Sequence, residues 1–212
     1  MDGNLILRPQ NPYILKLPAG ILQAWDWSKT DITKESIWKD GASRPESVQW
    51  ATAQKMIADG FDVVFDDDGP GEAADLVCMK EETDHIRLAL VHCKFSGGGV
   101  AGARIEDVVE VASQAIRSAK WTGKFKDLCR HLLNRNERRA VAGRSFILHG
   151  PLPEIGRLAK ASRLKEIRPE IVLVQPGVSV AGITNDQSMV LGAAATYLKE
   201  TVGIDISIIC SE

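Results

Sequence analysis

No apolar run in this 212-residue chain approaches the roughly 18 residues that a membrane-spanning helix needs. The stretch Met1 to Pro12 lacks the basic start, apolar core and small-residue cleavage site of a secretory signal. Cys78, Cys93, Cys129 and Cys210 are widely scattered, and none sits in a CxxC pair, which argues against a zinc site. Three of them fall in apolar runs and read as buried free thiols, the pattern of a reducing cytoplasm. There is no GxxxxGK[ST], so this chain alone is not an ATPase. No internal repeat and no low-complexity tract breaks the text.

What remains is ordinary globular composition: 44% hydrophobic and 25% charged residues, enough for one domain with a real core. The net charge of -2 hides strong local asymmetry. Residues 1–40 show a short strand-like run at Tyr13 to Leu17 and no clean period from Trp25 to Trp38. They are expected to form an N-terminal extension or flap, with the main domain over 41–212. With no motor motif in the chain, this segment points to a piece of a longer protein. Ser43-Arg-Pro-Glu46 has the form of a capping box opening a helix to about Asp59. Strands are expected at Phe61 to Phe65, Ala74 to Lys80, Ile86 to Phe95, Ser145 to His149, Ile171 to Gln175 and Ile204 to Cys210. Helices are expected at Arg104 to Lys120, Lys124 to Arg138, Pro151 to Ser162 and Asn185 to Thr201. The order reads as α/β, a central mixed sheet with an antiparallel hairpin core and flanking helices.

The hairpin carries the chemistry. Along Leu88 to Phe95, period two puts Leu88, Leu90, His92 and Lys94 on one face. A lysine and a histidine on a core face need partners. A turn near Thr83 brings Asp75 opposite Leu90 to His92, with Cβ atoms about 5 Å apart. Glu72 stands one short turn before Asp75. Such a set can hold Mg²⁺ or Mn²⁺ through oxygen and one imidazole, while the lysine stabilises charge at phosphorus. On the bland alternative, Lys94 and Asp75 form a structural ion pair and His92 is a satisfied core histidine, as in a protein-interaction domain.

Gly71-Glu-Ala-Ala-Asp75-Leu-Val followed by His92-Cys-Lys94 resembles the PD-(D/E)XK nuclease superfamily. There an aspartate opens the second core strand and an acidic-x-Lys triplet sits on the third. The text from Phe61 to Trp121 is similar to nuclease-like C-terminal domains of bacterial superfamily-2 helicase proteins linked to defence against foreign DNA. The resemblance implies a restriction-endonuclease-like fold and metal-dependent DNA hydrolysis. It also implies a helicase domain in the same or a partner chain. Its site would be Asp75, His92, Lys94 and Glu72, with Gln49 or Glu46 from the first helix and Gln114 from the helix after the third strand. Asp75, His92 and Glu72 would hold the metal. His92 departs from the family, which has Glu or Asp there. An inactive nuclease fold that grips DNA is the second reading.

Gly97-x-Gly99-x-x-Gly102 matches a dinucleotide fingerprint in form, but no acidic residue ends a following strand, so no nucleotide cofactor is expected. Residues 117–144 are basic. Arg117, Lys120, Lys124, Lys126, Arg130, Arg135, Arg138, Arg139 and Arg144 are candidates to track a DNA backbone, or else form a solvated face. Asp66-Asp-Asp68 reads as solvated turn chemistry that adds negative potential. Asn185 and Gln187 read as helix cap and surface.

Overall fold

The computed structural model describes residues 17–18, 20–140 and 145–212, without the side chains of residues 139 and 140. The strand expected at Tyr13 to Leu17 falls outside them except for Leu17, and Arg144 and the Arg139 side chain lie outside them as well. The elements run β1 (Leu22–Ala24), β2 (Trp38–Lys39), β3 (Ala42–Ser43), α1 (Val48–Ala58), β4 (Val63–Asp66), β5 (Leu76–Glu81) and β6 (His85–Cys93). Then follow α2 (Glu106–Thr122), α3 (Phe125–Ala140), β7 (Ile147–His149), α4 (Leu152–Ala161), β8 (Glu166–Ser179), α5 (Asn185–Val202) and β9 (Ile206–Ser211).

Seven strands form one mixed sheet in the order β1-β9-β8-β6-β5-β4-β7. The β4, β5 and β6 strands make an antiparallel meander, and β6, β8, β9 and β1 run parallel. Alternation sorts the side chains. Val77, Met79, Leu88 and Leu90 face a core built with α2, α3, α4 and α5. Leu76, Cys78, Ala89 and Val91 face a second core closed by α1 and by Trp27, Ile32 and Ile37. Both faces are covered, which suits the apolar runs of the parallel strands. The segment read as an extension is therefore built in from residue 20 onward, with β1 on the sheet edge and three residues in the core. No helix among the described residues is long and apolar enough to cross a membrane.

Three local expectations are corrected. The first helix is capped by Ser47, whose side chain accepts from the Trp50 amide, and not by Ser43, which lies in β3. Glu46 bonds Lys34 at 2.7 Å instead of closing a box. Strand β8 runs through Pro176-Gly177 with a register shift between Val174 and Ser179. Gln175 Oε1 accepts from the Gly177 amide, and a Cβ at Gly177 would meet Asp107 Oδ2 at 2.3 Å, so only glycine passes. Gln187 is fully buried in the capping box of Thr184 and donates to the carbonyls of Gly102 and Arg104.

One ion pair holds the loop between β4 and β5. The Asp67 carboxylate has no exposed surface and is paired with the Arg135 guanidinium of α3. Arg135 also donates to the Pro70 carbonyl at 2.7 Å and to the Asp67 carbonyl at 2.5 Å. Asp67 Oδ2 further accepts from the Ala73 amide at 2.7 Å and faces His131 Nε2 at 3.3 Å. Removing one partner of a buried pair leaves a charge that neither water nor protein compensates. Arg135→Met is expected to cost about 3–5 kcal/mol of stability. Arg130→Ala, at a side chain 72% exposed, should stay within about 0.5 kcal/mol. Urea unfolding of the two variants checks this, and equal small losses would contradict it.

Candidate metal centre

The site lies where β5 begins and β6 ends. The Leu76–Val91 pair fixes the register, and one step further Asp75 stands across from His92. That agrees with the position expected from the hairpin. Asp75 is buried, and its Oδ2 accepts from the Cys93 amide at 2.9 Å. His92 is 2% exposed. Its Nδ1 stands 3.7 Å from Asp75 Oδ2, too far for a hydrogen bond. Neither ring nitrogen has a hydrogen-bond partner among the described residues. Among the described residues, His92 is thus not the satisfied core histidine of the bland reading.

The loop from Asp66 to Ala73 forms the opposite lip. Gly69 and Gly71 take left-handed backbone angles, which turn the chain sharply back toward β5. Glu72 Oε2 accepts from the Gly69 amide at 2.7 Å, and the Glu72 amide donates to the Gly69 carbonyl at 3.0 Å. The result brings carboxylate oxygens of Asp68, Glu72 and Asp75 within 4.8 Å of one another. Asp68, read from sequence as solvated turn chemistry, is the residue that reasoning missed.

A cleft of about 360 Å³ opens beside this group. Its lining includes Glu72 and His92 and, from α2, Gln114, Arg117 and Lys120. Gln114 Oε1 is buried without a partner among the described residues. The fold thus gathers Asp75, Glu72, His92 and Gln114 as expected. Gln49 stands behind the site. Its Nε2 donates to the Asp75 carbonyl at 3.2 Å and its Oε1 accepts from the Ile37 amide at 2.8 Å, so it positions the backbone of Asp75 and not its carboxylate. Lys94 pairs with Glu35 at 2.9 Å and Glu110 at 2.8 Å, which replaces the ion pair with Asp75 that the bland reading needed. Glu35 comes from the stretch before α1, where no local signal marked it.

The basic residues part company. Arg117 and Lys120 reach the cleft. Lys124, Lys126, Arg130 and Arg138 are exposed on and beside α3. Lys126 and Arg130 edge a groove against Lys160 of α4 and Arg163 just beyond it instead. Arg135 is buried and does not face solvent. In the glycine loop, the Gly97 amide donates to Asp107 Oδ1, and Arg104 bonds Asp107 and Ser96. A carboxylate thus takes the place a cofactor phosphate would need.

The electrostatics are those of crowded, desolvated acids. Burial pushes the Asp75 carboxyl well above the carboxylate range. Asp68 and Glu35 add to this, against the Cys93 amide and Lys94. Burial and then Asp75 push Glu72 up to about 7. Burial pushes His92 down to about 4, so its ring is neutral at pH 7 and carries a free lone pair. For Lys94, burial opposes the charge, but hydrogen bonds from Glu110 and Glu35 outweigh it and hold the ammonium above its ordinary range. Three carboxylates and a neutral imidazole suit a hard or borderline divalent cation. Comparison with protein-family models, curated proteins and solved structures finds no match for this chain.

Glu72 holds its proton more tightly in the folded chain, titrating near 7 instead of at the ordinary 4.5. Folding therefore binds protons between these values, and stability falls as pH rises through that window. Glu72→Gln removes this loss. Its stability relative to wild type, measured by urea unfolding in EDTA, should rise from pH 4.5 to about 7 and then level off. A difference that ignores pH would contradict the burial-driven shift.

Proposed function

We propose that this chain is a metal-dependent nuclease that hydrolyses DNA phosphodiester bonds on a restriction-endonuclease-like core of the PD-(D/E)XK type. One observation carries the reading: Asp75 and Glu72 belong to one acidic group, and a buried, unpartnered His92 stands 3.7 Å from Asp75 at a cleft that Arg117 and Lys120 also line. The element order supports the resemblance. Asp75 directly precedes the second strand of the β4–β5–β6 meander, His92-Cys93-Lys94 closes the third, and α1 comes before them. A helicase domain, in this or a partner chain, belongs with the same reading. The four buried thiols suit a reducing cytoplasm.

Mg²⁺ or Mn²⁺, when bound, polarises the phosphodiester and acidifies a water. The chain supplies the rest. The carboxylates of Asp75 and Glu72 and the neutral His92 hold the ion. Arg117 and Lys120 draw the phosphate backbone to the cleft by charge. Gln114 offers a buried acceptor oxygen to orient an attacking water. Lys94, on the same strand face as His92, brings positive charge toward the phosphorus. A second reading, a nuclease fold that grips DNA without cutting, is favoured by one feature. The Lys94 ammonium is already engaged by two carboxylates.

Plasmid DNA incubated with Mg²⁺, Mn²⁺ or EDTA separates the two. Asp75→Asn keeps an oxygen for the Cys93 amide, so the fold should hold while metal-dependent cleavage drops about 100-fold or more. Full activity in that variant would sink the nuclease reading at this site, and wild type that binds DNA but never cuts it would establish the second. Charge reversal at Arg117 and Lys120 should weaken binding to all sequences alike and lower the salt slope by about 2, near one unit per lost phosphate contact. An unchanged slope would mean that this wall does not touch the backbone.

A further inference from the structure

We propose that Asp68 completes a divalent-metal site with Glu72, Asp75 and His92, and that it supplies the negative charge that the third strand of the meander lacks at His92. The proposal extends the nuclease reading to the ligand set, and it is tested without nucleic acid, so that the two fail separately.

The carboxylates of Asp68, Glu72 and Asp75 offer oxygens that all lie within 4.8 Å of one another. Carboxylates this close repel when ionised, and a bound divalent cation would relieve that repulsion. The gathering is built by the backbone. The Asp68 amide donates to Asp66 Oδ1 at 3.1 Å, the Asp68 carbonyl accepts from Arg135 at 3.3 Å, and the Gly69–Glu72 turn is closed from both ends. Conversion of the Asp68 side chain leaves these bonds in place.

His92 points independently to a ligand. It is buried, neither ring nitrogen has a hydrogen-bond partner among the described residues, and Nδ1 lies 3.7 Å from Asp75 Oδ2. Two ligands of one ion stand roughly 3–4 Å apart, which follows from metal–ligand bonds near 2.1 Å. A neutral imidazole beside carboxylates is a donor of the kind that Mn²⁺ accepts more readily than Mg²⁺ or Ca²⁺. With His92 uncharged, Asp75 and Glu72 would provide two negative charges once a bound ion displaced their protons, and Asp68 would provide the third.

The test is calorimetric titration of the full chain with Mn²⁺ at pH 8, with melting temperatures in EDTA and in Mn²⁺. Wild type should bind one Mn²⁺. Asp68→Asn should weaken binding about tenfold or more, melt in EDTA no lower than wild type, and lose most of the melting shift that Mn²⁺ gives. Asp68→Asn with His92→Glu, which places an acid on the strand, should recover binding to within about threefold and improve relative affinity for Mg²⁺. Asp68→Glu keeps the charge and should retain most Mn²⁺ binding. If the loss in Asp68→Asn came from a disturbed loop, this larger change would lose binding as well. The proposal is overturned if Asp68→Asn binds Mn²⁺ like wild type, if Asp68→Glu loses binding with it, or if wild type takes up no Mn²⁺. Cleavage that depends on Asp75 while Asp68→Asn binds normally would leave the nuclease reading standing and remove this one. Asp68-dependent Mn²⁺ binding without DNA cleavage would do the reverse.

Discussion

The buried pair of Asp67 with Arg135 is the contact on which the site depends. Asp66, Asp67, Asp68 and Glu72 stand within seven residues, and a loop so charged would open into solvent unless something held it. Arg135 reaches from α3, neutralises Asp67 and takes the carbonyls of Asp67, Asp68 and Pro70. With that anchor in place, Gly69 and Gly71 turn the chain back. Glu72 and Asp68 are then delivered to Asp75 instead of to water. An arginine from the most basic helix of the chain thus works inside the protein, and its charge is spent on the fold.

Around this anchor one cleft gathers both signs of charge. Glu72 and the neutral His92 line it together with Arg117 and Lys120 of α2. Lys94 is held by Glu35 and Glu110. Glu35 ties that lysine to the stretch before α1, and it also accepts from the Phe95 amide at 3.2 Å. The N-terminal part of the chain is in this way coupled to the strand that carries His92.

The hairpin was legible because Ala74 to Lys80 and Ile86 to Phe95 are strand-like runs and the joint at Glu81 to Asp84 is short and polar. With the period of two they put His92 and Lys94 on one face and bring Asp75 opposite Leu90 to His92, and the Leu76–Val91 pairing then fixes the register. The cap of α1 was misread because Ser43 and Glu46 satisfy a local pattern, while long-range bonds to Ile37 and Lys34 take both segments elsewhere. Arg135 carried a signal that went unused. Phe125, Leu128, Cys129 and Leu132 are buried at helical spacing, and the next position on that stripe is 135 or 136. Asp68 and Glu35 carried none, since their roles arise from a left-handed turn in one case and from a contact 59 positions away in sequence in the other, as Glu35 meets Lys94.

The central claim is that the buried imidazole and the acidic loop form one metal site. Anomalous diffraction from crystals grown or soaked with Mn²⁺ tests it most directly. The account predicts a single strong peak among the side chains of Asp68, Glu72, Asp75 and His92. A peak between Glu35 and Glu110, or no peak at a concentration that saturates binding in solution, would contradict it.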